Sequence, residues 1–141
     1  MIREDNGQVS LEYLLIFTIS LIILMIFTLP LTELAIENTM DISDSLDVKS
    51  DLSKISQTIE QVYGEGQGSK HTVDVSSKEK IKIVITDKYA YCNLKLKDNK
   101  IKQITEYYDS NIKKTSIILD GENSLVVEWP INSENMLIYR K

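Results

Sequence analysis

Residues 13–31 read YLLIFTISLIILMIFTLPL, nineteen positions without a charge. As a helix, such a run can cross a hydrocarbon core of about 30 Å. A buried helix of a soluble domain would show a polar face. Beyond Tyr13 this one offers only the hydroxyls of Thr18, Ser20 and Thr28, which can bond back to carbonyls of their own helix. The segment is membrane-competent, and the rest of the chain is read outward from it. A secretory signal peptide needs a basic n-region, a shorter apolar core and a small-x-small cleavage site behind it. Here MIREDNG sets Glu4 and Asp5 against Arg3, the run is long, and Glu33 stands where a small residue should precede Ala35. A plain signal anchor leaves Glu12 unexplained, because a carboxylate next to an apolar span is costly inside a bilayer.

On the N-terminal side stands Gly7, followed by Gln8-Val9-Ser10-Leu11-Glu12-Tyr13-Leu14-Leu15-Ile16. This resembles the class III signal peptide of archaeal type IV pilins, Q-x-S-x-E-x-x-x-L with cleavage just before the Gln. Gln8, Ser10, Glu12 and Ile16 occupy the patterned positions, Ile16 in place of the usual Leu. The resemblance implies a leader of residues 1–7 and cleavage between Gly7 and Gln8 by a membrane-embedded prepilin peptidase. It further implies an assembly ATPase and a membrane platform protein that raise subunits into a filament of this chain or related pilin subunits. Glu12, Tyr13 and Pro30 are the residues expected to act in assembly. Pilin helices often bend near the position of Pro30, and a proline inside a helix forces a bend by removing a donor and clashing one turn back. Without the resemblance, Pro30 would read as the end of the membrane helix.

On the C-terminal side, residues 32–63 hold no Pro or Gly, so helix can continue as an amphipathic stalk. Val48, Leu52, Ile55, Ile59 and Val62 step by four, three, four and three, one apolar stripe suited to packing on a sheet. Segment 38–47 is rich in Asn, Thr, Ser and Asp and forms helix less readily. Unbroken, residues 9–63 would make a rod of about 80 Å at 1.5 Å per residue. Gly64-Glu65-Gly66-Gln67-Gly68-Ser69 is the clearest punctuation, with Gly64 at the expected helix cap and 64–69 as a flexible linker or turn. It is not a phosphate loop, since it follows a helix and lacks the Gly-Lys-Ser/Thr ending.

From Thr72 the period falls to two. Ile81, Ile83 and Ile85 alternate with Lys82 and Val84, and Ala90 to Leu96 alternate again. Lys97-Asp98-Asn99-Lys100 reads as a hairpin turn returning through Ile101 to Tyr107. Thr115 to Leu119, a turn at Asp120-Gly121-Glu122-Asn123, and Leu125 to Trp129 read as a second hairpin. Met136 to Tyr139 reads as an edge strand. The expected fold is α+β: an N-terminal helix over 8–63 (13–31 in membrane or filament core, 32–63 as stalk), a linker at 64–69, and an antiparallel β domain over 70–141. That domain should hold roughly five to seven strands as a meander or small sandwich.

Composition excludes several functions. Net charge is −5 with no basic stripe, so nucleic acid is an unsuitable partner. Cys92 is the single cysteine. It alternates in phase with Ala90, Leu94 and Leu96, as a buried structural thiol should. His71 is single and reads as a surface residue. Asp44, Asp47 and Asp51 share a helical arc, where a solvated acidic face competes with a calcium site. No nucleophile–base set and no metal-ligand spacing appears, so no catalytic residue, metal or cofactor is expected. Asn-x-Ser/Thr is absent from the sequence, so no standard N-glycosylation acceptor exists. The leading expectation is a single-pass membrane precursor that becomes a pilin subunit of an extracellular surface filament serving adhesion. The alternative is a membrane-anchored extracytoplasmic binding or adhesion module that never polymerises.

Overall fold

The computed structural model describes the backbone of residues 5–97 and 99–141, and side chains from Ser10 onward. Residues 1–4 of the expected leader, and Asp98 of the expected hairpin turn, lie outside the described residues. Helix α1 spans Asp5–Glu65 and includes Pro30. Pro30 therefore does not end the helix, although residue 30 has no amide hydrogen to offer the carbonyl of Ile26. The polar stretch 38–47 is helical throughout. Two of its hydroxyls bond back one turn, Thr39 Oγ1 to the Ala35 carbonyl at 2.7 Å and Ser45 Oγ to that of Asp41 at 2.7 Å. The chain divides into two compact units, Met1–Met40 and Asp41–Lys141, so the last turns of α1 group with the strands.

In the second unit five strands form one antiparallel sheet: β1 (Lys70–Ile85), β2 (Tyr89–Lys95), β3 (Ile101–Tyr107), β4 (Thr115–Glu128) and β5 (Leu137–Arg140). Their order is β3-β2-β1-β4-β5. The first three strands form a meander, and β4 then pairs on the far side of β1, so the sheet is neither a simple meander nor a sandwich of two sheets. The helical stripe explains why one sheet suffices. Leu52, Ile55, Ile59 and Val62 are fully buried, Val48 nearly so, in one core cluster with Ile83, Ile85, Cys92, Leu119, Leu125 and Val127. The helix covers one face of the sheet, and a second sheet is not needed.

The expected second hairpin is not formed. Residues 115–128 make one continuous strand paired along β1, from Lys70↔Glu128 to Ile85↔Thr115. The sequence signal at Asp120-Gly121 was genuine but marks an irregularity: the register shifts between Ser77 and Ile81, opposite Gly121 at φ +67°. A left-handed glycine at a bulge relieves a mismatch in strand length without reversing the chain. On β1 the extra residues are folded by Ser77 Oγ, which donates to the Glu79 carbonyl. The first hairpin closes as expected, with Asn99 at φ 62° and Leu96 N–H donating to the Lys100 carbonyl at 2.8 Å.

The expected linker 64–69 begins inside α1, and its residues 66–69 are a hydrogen-bonded turn. The helix stops at Glu65, and Gly66 (φ +88°) supplies the left-handed cap in place of Gly64. Its N–H donates to the Val62 carbonyl at 3.1 Å, the bond expected of such a cap. Ser69 Oγ also donates to that carbonyl, at 3.0 Å, and Gly68 N–H reaches the Trp129 carbonyl at 2.7 Å. Helix end and strand start are fastened directly to each other.

Candidate functional site in the N-terminal helix

The large apolar residues of α1 from Leu11 to Leu31 are exposed, between 38% and 69%. Thr18 Oγ1 donates to the Leu14 carbonyl and Ser20 Oγ to that of Ile16, each at 2.8 Å. Their polarity is thus satisfied within the helix. The helix is long and apolar enough to cross a membrane, with none of that surface buried. An all-round apolar helix left bare in water is untenable; lipid or other helices must cover it.

The motif positions Ser10, Glu12 and Ile16 are exposed on the helix, as are the expected assembly residues Tyr13 and, further along, Pro30. Gly7 and Gln8 fall within the helical backbone, and their side chains lie outside the described residues. Residues 6–31 match the family model of the class III signal peptide. That match begins just before the Gly7–Gln8 bond and runs to the end of the apolar stretch. It supports a type IV pilin-like protein that is made as a membrane-anchored precursor and cut by a prepilin peptidase. No curated protein and no solved structure matches the chain.

The globular unit displays structural chemistry. Asp44, Asp47 and Asp51 share a helical arc but not a task. Lys78 Nζ, carried by the bulge, lies 2.6 Å from Asp47 Oδ2 and 3.2 Å from Asp44 Oδ1, and the pairing, first with Asp47, raises the Lys78 pKa. Asp51 is buried rather than solvated. Its Oδ2 accepts the Ser76 N–H at 3.1 Å, and its Oδ1 receives Lys54 Nζ at 2.9 Å. Among the described residues no three His, Cys, Asp or Glu side chains converge on a metal-sized site. His71 is half-buried, its Nε2 2.7 Å from Glu65 Oε2, and that hydrogen bond is the main cause of a lowered Glu65 pKa. Cys92 is fully buried, and burial pushes its thiol up to about 11, the opposite of a reactive cysteine.

Two fastenings escaped sequence reasoning. Lys78 clamps the helix only because the bulge turns it there, and no local pattern foretells a bulge. Tyr63 stacks on Trp129 at 5.6 Å between ring centroids with planes 6° apart; the pair is remote in sequence.

Proposed function

We propose that this chain is a structural subunit of an archaeal type IV pilus-like surface filament serving adhesion. The observation that carries the reading is the coincidence of the class III match with an apolar helix whose described side chains are exposed. The precursor would rest in the membrane through residues 13–31. Cleavage before Gln8 creates an α-amine with an ordinary pKa of about 8, four residues from Glu12 on the same helix. In an apolar filament centre a lone carboxylate is expensive and needs a partner. The new N-terminus of a neighbouring subunit is the natural one, which explains why processing must precede assembly. Helix-to-helix contacts then replace lipid contacts, so van der Waals fit governs the bundle.

Intact mass of the mature protein and electron microscopy of the cell surface test this. Expected is a chain beginning at Gln8, present in filaments. Glu12→Gln keeps shape and removes charge: it should insert and be cleaved like the parent, yet enter few or no filaments. A mature chain still starting at Met1, or Glu12→Gln subunits assembling as well as the parent, would overturn the mechanism.

A further inference from the structure

Beyond the membrane-length run, α1 keeps exposing apolar side chains. Ile36 is 54% exposed, Met40 48%, Ile42 59% and Leu46 60%. Residues 13–31 already satisfy a bilayer core, and Glu33, Glu37 and Asp41 interrupt the apolar character of the next turns. Lipid therefore does not cover this second exposed set.

The set has two parts of opposite character. In the globular unit, Ile42, Ser45, Leu46 and Lys49 of α1 and Lys102 and Ile104 of the edge strand β3 line a groove of about 390 Å³. Ile42, Leu46 and Ile104 give it an apolar part beside Ser45, Gln103 and Thr105, and among the described residues its charged lining is Lys49 and Lys102. In the N-terminal unit, Glu33, Ile36, Glu37 and Met40 are spaced i, i+3, i+4 and i+7, so they share one helical face. That face pairs two exposed carboxylates with two exposed apolar side chains, and residues 13–48 contain no Lys or Arg. Groove and stripe each carry apolar side chains and are opposite in charge, the complementarity that sets register between partners.

We propose that the Lys49/Lys102 groove of one copy receives the Glu33–Met40 stripe of a second copy. This rests on the filament reading above and names one of its contacts. Donor and acceptor are different surfaces of one chain, so the contact is heterologous, and heterologous contacts propagate into helical filaments unless they close into rings. If the two helices run parallel, residues 33–40 lie beside 42–49, an axial offset of roughly 14 Å at 1.5 Å per residue.

Charge reversal in the full-length protein tests it, with filaments counted and cleaved subunit measured by mass. Lys49→Glu with Lys102→Glu alters only exposed side chains and should leave insertion and cleavage intact. Filament yield should fall at least about tenfold, since like charges would then face each other. Glu33→Lys with Glu37→Lys should fail in the same way, and the four changes together should restore assembly. In a separate variant, Ile36→Cys with Leu46→Cys should give a disulfide between copies within filaments, because Cys92 is buried. If the lysine double variant assembles like the parent, or the four changes do not restore assembly, the contact is wrong while the filament reading stands. Crosslinking to a different polypeptide makes the occupant wrong. Absence of filaments from the parent itself overturns both proposals.

Discussion

Asp51 shows how one side chain can do more than its neighbours of the same charge. β2 reaches β1 only at Ile83–Ile85, so the stretch of β1 around Ser76 lacks a strand on that side. An open edge needs cover, and the Asp51 carboxylate provides it by accepting the Ser76 N–H. Its second partner, Lys54, is half exposed, and a surface pair of that kind contributes little. Asp51→Ala should therefore destabilise the unit by about 1–3 kcal/mol, Asp51→Asn should recover most of that loss, and Lys54→Ala should change stability by less than about 0.5 kcal/mol. Urea unfolding of the three variants checks this. Equal losses for Asp51→Ala and Lys54→Ala would mean the ion pair, not the edge bond, is the stabilising contact.

At the scale of elements, the last turns of α1 belong to the sheet. With Leu52, Ile55, Ile59 and Val62 removed, β1 to β4 would present a bare apolar face to water. A fragment of residues 70–141 should stay unfolded or aggregate, whereas residues 41–141 should unfold cooperatively in urea. Within the longer fragment, Leu52→Ala should cost about 2–5 kcal/mol as a large-to-small core change. A folded 70–141 fragment, or a silent Leu52→Ala, would show that the stripe faces something else. The stripe was legible because its period is local, and so were β2, β3 and the turn between them. Continuity of β4 was not: Asp120-Gly121 carries the chemistry of a reversal, and only the pairing partner decides between reversal and bulge. The helix stop moved from Gly64 to Glu65 for a similar reason, since Gly66 is the glycine whose N–H reaches the Val62 carbonyl. In the candidate site, the apolar run and the class III resemblance before it were legible because they are contiguous in sequence, and the family model matches the same stretch. The groove was not, because it joins residues 42–49 to 102–105, and only the folded chain brings those together.

For the whole molecule, apolar surface is divided between an exposed helix segment and a covered core, and the two should respond differently to their surroundings. Removing lipid or detergent should aggregate the full chain through Leu11–Leu31 while leaving the Asp41–Lys141 unit folded, as light scattering and circular dichroism of both forms would show. The lone thiol adds a consequence of its own. Cys92 sits on β2 in the core it shares with the stripe of α1, with no exposed surface and little thiolate at neutral pH, so a maleimide can reach it only while that core is opened. The residue is thus a built-in stopwatch: its alkylation half-time records how often the Asp41–Lys141 unit breathes, with no added probe, and the same reading can be taken in detergent and within the proposed filament.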